Sequence, residues 1–230
     1  MTRFFLLLLV AIVSAPAVLA QDKDYSRYEF VGGYAYERAS NNAGTFDKNG
    51  RAAFNGNTVT FAEQKQNYNG FMAEFNQNIT RNIGIVTSFT GTYDTTGYVN
   101  TNTGRVFNAS AQRYDLMIGP RYNWRLSGVT PFVHAMAGIS HMRVSFDDTL
   151  SPMKKADTAF AMAFGGGVDI KLNHRFDIRA VQVDWNIINR GDQQTGVVLV
   201  PTPHQVVGSP FVIPGATQNN LRLSFGIVIH

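Results

Sequence analysis

Cysteine is absent from this 230-residue chain. An exported domain of this size without disulfides must be held together by backbone hydrogen bonds and packing. Past residue 20 no apolar stretch is long enough for a spanning helix, which excludes a helical membrane protein. Sustained 3.6-residue periods are missing too. Charge is sparse: 16% of residues are charged and the formal net charge is +4. Lys and Arg form no stripe, so the footprint of a nucleic-acid-binding face is lacking and no nucleic acid is expected as a partner. What the chain does have is strand material, with 17 Phe, 9 Tyr and 21 Gly alongside much Val and Thr.

The amino end reads as a targeting signal. Arg3 supplies a positive start, and Phe4 to Val13 is an unbroken apolar run. Ser14-Ala15-Pro16-Ala17 breaks it, and Val18-Leu19-Ala20 precedes Gln21 in the manner of a cleavage site. The competing reading, a permanent anchor, is disfavoured because the run is too short to span. Residues 1–20 are therefore expected to be a cleaved signal peptide and residues 21–230 a single barrel domain. Removing Arg3 from the +4 total leaves +3 on that domain.

Eight segments alternate with a period of two. The clearest is the sixth, Ala159 to Leu172. Phe160, Met162, Phe164, Val168, Ile170 and Leu172 fall on one parity; Ala159, Ala161, Ala163, Gly165, Gly167, Asp169 and Lys171 fall on the other. Side chains alternate across a strand, so the two faces meet different environments. The fourth segment sets Tyr114, Leu116, Ile118 and Tyr122 against Arg113, Asp115, Met117 and Arg121. The first (Tyr28 to Glu37), second (Asn67 to Asn76), third (Ile83 to Tyr93) and eighth (Leu221 to Ile229) repeat the pattern. Two segments slip phase. In the fifth, Val133, Ala135, Ala137 and Ile139 give way to Met142, Val144 and Phe146; in the seventh, Phe176 and Ile178 give way to Val181, Val183 and Trp185. A β-bulge in each would produce such a slip, and so would misjudged strand limits.

The connections alternate long and short: 39–66, 77–82, 94–110, 123–129, 147–157, 173–174 and 190–217. A soluble sandwich has no reason to place every long loop at one end, whereas outer-membrane barrels do. The faces then decide between barrel classes. A lipocalin-type barrel packs apolar residues inward. Here the bulky apolar face is read as the outer one. Glu29, Glu74, Arg113, Asp115, Arg121, Asp169 and Arg222 line the interior with many small residues, as a packed polar plug in which each charge needs a partner. In water such an exterior would be one large apolar patch; lipid removes that conflict. Tyr28, Tyr122, Trp124 and Phe176 near one rim, and Tyr36, Tyr93, Phe146 and Trp185 near the other, read as two interfacial girdles.

Several stretches resemble one known family. They are Val31-Gly32-Gly33-Tyr34, Asn78 to Gly84, Tyr114 to Tyr122, Pro131 to Gly138 and Phe164 to Asp169. From about Tyr25 to His230 the chain is similar to the small bacterial outer-membrane β-barrels of the OmpA/OmpX and opacity-protein type. The resemblance implies an all-β fold: an eight-stranded antiparallel up-and-down transmembrane barrel with short periplasmic turns and long external loops. It also implies a bacterial outer-membrane location, with lipid and the barrel-assembly machinery as partners. Such stretches serve the family as strand and turn parts rather than reaction centres. The chain departs from the family at its end, where Phe225-Gly226-Ile227-Val228-Ile229-His230 sets the apolar positions one residue off the usual terminal aromatic pattern. No peptidoglycan-binding domain follows, so tethering to the wall is not implied.

Candidate chemistry is thin. His134 and His141, seven apart on one strand, would point to opposite faces, which argues against a shared metal. His141 with Asp147 and Asp148 is the one candidate hydrolase cluster, and a solvated rim cluster is its bland equivalent. Gly165-Gly166-Gly167 lacks the Lys-Ser/Thr of a phosphate loop and sits within a strand, which favours close packing. Gln182 and Asp184 would join Arg179 in the lumen only if the seventh strand bulges, as structural pairing. No catalytic, cofactor-binding or metal residue is assigned. The 190–217 loop is unusually apolar, with Val197 to Pro201, Val206-Val207 and Phe211 to Pro214. It reads either as a hairpin extension or as a contact surface for an external ligand or host surface. Two function classes stay open: a non-catalytic structural or surface-contact barrel, and a small enzyme acting on lipid or peptide at the outer rim. A wide pore is disfavoured by the filled lumen.

Overall fold

The computed structural model describes residues 25–39, 51–54, 57–60, 66–99, 106–147, 153–191, 193–201, 206–213 and 216–230. The proposed signal segment lies outside them. Among the described residues twelve strands follow in order: β1 (Tyr28–Ala39), β2 (Arg51–Phe54), β3 (Asn57–Thr60), β4 (Gln66–Asn78), β5 (Ile83–Val99), β6 (Val106–Asn123), β7 (Val129–Asp147), β8 (Met153–Lys171), β9 (Phe176–Arg190), β10 (Gln193–Pro201), β11 (Val206–Ile213) and β12 (Ala216–Ile229).

Eight of them close a barrel in the order β1-β12-β9-β8-β7-β6-β5-β4, every pairing antiparallel. The eight expected segments are these eight strands. The remaining four form two hairpins, β2–β3 and β10–β11, within the first and last long connections. The β10–β11 hairpin takes up most of the apolar 190–217 connection, as the extension reading expected.

Closure follows from the alternation. On β8, Phe160 and Phe164 face outward at 52% and 45% exposure, while Ala161 and Ala163 are fully buried inside. On β6, Ile118 and Tyr122 are outside, and Arg113, Asp115, Met117 and Arg121 are inside. The arrangement inverts that of a water-soluble barrel: the outer face is apolar and the interior charged. A thin apolar layer persists within the lumen, where Val86, Met117, Met136 and Ile188 pack with Ala159, Ala161 and Ala163.

Only one of the two anticipated bulges exists. In β9 the register shifts on both sides of Ala180: Arg179 pairs with Gly226 and Asp169, whereas Gln182 pairs with Ser224 and Gly167. Ala180 and Val181 both face outward, so Arg179, Gln182 and Asp184 all enter the lumen. In β7 the register runs unbroken against β8 from Val129 to Phe146, which corrects the second expectation. There the apolar parity changes because the faces change character. Phe132, Met136 and Met142 point inward, while His141 and Arg143 occupy outward positions beyond the apolar belt.

The strands also run further than the alternation suggested. The 94–110 connection shrinks, because β5 continues to Val99 and β6 begins at Val106; β8 begins at Met153 rather than Ala159. Above the lipid an outward position has no need to be apolar, so the period-two signal fades although the ladder continues. Trp185 sits below the long-loop rim rather than at it, since β9 carries Ile187 and Asn189 outward above it.

Candidate functional site

The lumen collects the chain's buried ionic chemistry, and it is built around Arg179. The β9 bulge delivers this side chain inward. Its Nε and Nη2 donate to the two carboxylate oxygens of Asp169 at 2.8 and 3.1 Å. Its Nη1 donates to Glu74 on β4 and to Gln182 Oε1 at 2.7 Å. Gln182 Nε2 in turn donates to Glu74 Oε1 at 3.0 Å and to Asp184 Oδ2 at 2.9 Å. Arg121 completes the lower side, donating to Asp169 Oδ2 at 2.8 Å and to Asn123 Oδ1 at 2.7 Å.

Arg121 and Arg179 both lie over Phe132, an aromatic ring inside the barrel. The two guanidinium carbons stand 3.8 and 4.5 Å from its centroid. A desolvated cation over a ring face is attracted by the ring quadrupole, and here one ring serves two cations. The glycine run makes room for this. A Cβ on Gly167 would meet Phe132 Cζ at 2.8 Å, and one on Gly165 would meet Asp184 Oδ1 at 2.1 Å. The Gly165-Gly166-Gly167 run is close-packed within its strand.

Higher in the lumen, Arg222 donates through Nε and Nη2 to Asp184 Oδ2 at 3.1 and 2.9 Å and through Nη1 to Thr90 Oγ1 at 3.0 Å. Its Nη1 is 3.6 Å from Asp115. Arg113 pairs with Glu37 and lies over the Tyr68 ring. At the short-turn end Arg125 holds Glu29 at 2.7 Å; toward the long-loop end Arg190 holds Asp157 at 2.7 Å. Arg113, Arg121, Arg125, Arg179, Arg190 and Arg222 thus face Glu29, Glu37, Glu74, Asp115, Asp157, Asp169 and Asp184. With neither sign in clear excess, the lumen is no electrostatic funnel for ions of one charge.

The two histidines diverge as their odd spacing required. His134 Nε2 lies 2.9 Å from Asp184 Oδ1 inside the barrel, and His134 Nδ1 has no hydrogen-bond partner among the described residues. His141 Nδ1 is 2.7 Å from Thr158 Oγ1 on the outer face. His141 and Asp147 are six residues apart on one uninterrupted strand, about 20 Å of backbone, too far for an acid–base pair. Asp148 and the side chain of Asp147 lie outside the described residues. Among the described residues no three His, Cys, Asp or Glu side chains converge as a metal site needs.

Glu74, Asp169, Arg121 and Arg222 were legible as lumen charges from parity alone. Phe132 and His134 were not singled out for the lumen, although both lie on the parity opposite Val133. Asn78 was also missed. It closes the bottom of the lumen by donating to Glu29 Oε1 at 2.8 Å.

A family model described as outer membrane protein beta-barrel domain matches residues 5–206. Among solved structures, the chain is similar to Ail, the attachment invasion locus protein of Yersinia pestis, at 14% identity. That match covers 88% of this chain and 97% of that one, with a TM-score of 0.48. It is similar to Neisserial surface protein A at 12% identity, covering 89% and 97%, with a TM-score of 0.48. It is also similar to the outer membrane protease OmpT of Escherichia coli at 9% identity, covering 93% and 99%, with a TM-score of 0.46. No curated protein sequence matches the chain.

Proposed function

The chain belongs to the outer membrane protein beta-barrel domain family, and on that premise we propose that it is a non-catalytic envelope protein that stabilises the membrane or presents its external loops to a ligand or host surface. Family membership makes it a membrane protein and implies the bacterial outer membrane. In this reading residues 1–20 are removed on export, and lipid and the barrel-assembly machinery are its partners during insertion.

The observation that carries the reading is the occupied lumen. Arg179, Glu74, Asp169, Gln182, Asp184 and Arg222 spend their polar groups on one another, across strands far apart in sequence. Side chains committed in this way are structural elements, and each would lose a partner by engaging a substrate. The His134–Asp184 pair belongs to that network. The surface-contact half of the proposal draws on the β10–β11 hairpin, whose sequence carries Val197 to Val200 and Phe211 to Ile213 in the last long connection. Apolar residues beyond the lipid belt favour a contact role.

Membrane fractionation tests the location: the protein is expected with the outer membrane and needs detergent for extraction. Recovery as a soluble periplasmic monomer overturns it. The non-catalytic reading is tested on the folded, purified barrel against lipid and peptide substrates. Turnover that His141→Ala removes would replace it with the rim-enzyme reading.

A further inference from the structure

The barrel end that carries the three short turns has a surface unlike the rest. Each turn exposes a large apolar side chain: Ile79 between β4 and β5 at 56%, Leu126 (beside Trp124) between β6 and β7 at 60%, and Leu172 between β8 and β9 at 58%. Each turn also carries cations: Arg81, then Arg125, then Lys171 with Arg175; Arg27 stands at the entry to β1. The carboxylates of this end are engaged close to the barrel. Glu29 is buried against Arg125 and Asn78, and Asp177 lies 2.9 Å from His230. Among the described residues the exposed side-chain charge of the rim is therefore of one sign.

The turns are also fixed. Asn173 Oδ1 accepts from the backbone N–H of Arg175 and Phe176 at 2.8 and 2.9 Å. Thr80 Oγ1 accepts from Ile83 N–H at 3.0 Å, and Arg125 Nε donates to the Arg81 carbonyl at 2.8 Å, tying two turns together.

One exposed leucine on a protein surface needs no account. A large apolar residue at every short turn, with Arg27, Lys171 and Arg175 exposed at the same rim, repeats the pattern of segments seated in a headgroup layer. There the apolar body meets the acyl boundary, and long cationic side chains extend to the phosphates. Arg adds a planar fork that matches phosphate oxygens. We propose that this rim is a docking surface for anionic phospholipid headgroups in the adjacent leaflet, which it selects over zwitterionic ones. The inference rests on the barrel spanning a bilayer.

The test uses the full barrel with Trp185→Phe, which leaves Trp124 as the one tryptophan of the two in the sequence. Trp124 is 43% exposed at this rim, and lipids brominated on their tails serve as its quencher. The vesicles are phosphatidylcholine with a minority of phosphatidylglycerol, and either lipid is brominated in turn. The expected result is a roughly fivefold preference for phosphatidylglycerol per engaged cation, which salt collapses. Arg27→Gln, Lys171→Gln and Arg175→Gln together bring the preference close to parity, with the heat-dependent gel shift confirming a folded barrel. Equal quenching by both lipids at low salt overturns the proposal. So does a preference that survives high salt, or one retained by the folded triple variant. Should that variant fail to fold, the salt titration of the parent decides. A barrel that fails to insert shows no gel shift, which separates loss of the bilayer premise from loss of lipid selection.

Discussion

Arg179 on β9 reaches across the lumen to Glu74 on β4, although neither strand is a neighbour of the other in the barrel order. The two residues lie 105 positions apart, and both are fully desolvated. Ladder hydrogen bonds hold each strand only to its two neighbours, so such a tie, with the Gln182–Glu74 bond beside it, joins walls that the ladder does not.

This makes the pair a strong target. Arg179→Met strips partners from both Glu74 and Asp169 and is expected to destabilise the folded barrel by about 3–5 kcal/mol, the usual cost of leaving a buried charge unpaired. Glu74→Gln keeps a hydrogen-bond acceptor and should cost less. Made on top of Arg179→Met, it should cost less again, with a coupling of about 0.5–3 kcal/mol in denaturant titrations of the detergent-folded barrel. Strict additivity would mean that the contact does not stabilise the fold.

The alternation on β6, β8 and β12 was enough to place Arg113, Asp115, Arg121, Asp169 and Arg222 inside, because lipid outside and packing inside impose opposite demands on the two parities. The placement of Arg179 depended on something alternation only hints at. A slip of phase between Ile178 and Val181 has the same appearance whether it reflects a bulge or a misjudged boundary. In β9 it is the bulge at Ala180; in β7 it is neither, only the passage of the outer face from lipid to water near His141. The β2–β3 hairpin was not legible at all. It stands outside the barrel ladder, within a connection read as loop.

Gly165 tests the close packing of the lumen. A Cβ there would lie 2.1 Å from Asp184 Oδ1 and 2.5 Å from the Val183 carbonyl, a clash with backbone that no rotamer relieves. Gly165→Ala is expected to cost about 1–3 kcal/mol, as other overpacked interiors do. Gly128→Ala is the control, since nothing lies within 4 Å of its added methyl group. If the two variants melt alike, the glycine run serves some purpose other than making room.

The lipid-facing assignment can be tested on one strand. Phe164 lies near the middle of the outward apolar run Phe160 to Ile170 of β8, and Ala163 next to it points inward with no exposure. Phe164→Arg should cost about 2–4 kcal/mol in refolding titrations into lipid vesicles, the range for a cation near the bilayer midplane. Ala163→Ser, which adds only one small hydroxyl to the thin apolar layer of the lumen, should cost less. Reversed tolerances would show that the two faces have been exchanged.

The last long connection separates fold from contact. The barrel register between β9 and β12 begins at Arg190 and Ala216, so the β10–β11 hairpin contributes no rung to the closed sheet. Replacing Val198 to Pro214 with a short Gly/Asn turn should therefore leave the barrel folding, because hairpin connections accept shorter turns when the flanking ladder is intact. The gel-mobility difference between unheated and heated samples reports that folding directly. On intact cells whose surface is accessible, protease is expected to cut within 190–217 in the parent and not in the replacement. If the gel shift disappears, the apolar stretches around Leu199 and Phe211 pack into the barrel, and the hairpin is part of its core. If the barrel folds and adhesion or ligand capture is lost, the hairpin is the contact surface. If the barrel folds and surface behaviour is unchanged, the contact half of the proposal fails and the structural half remains, since the lumen ties among the described residues join other strands.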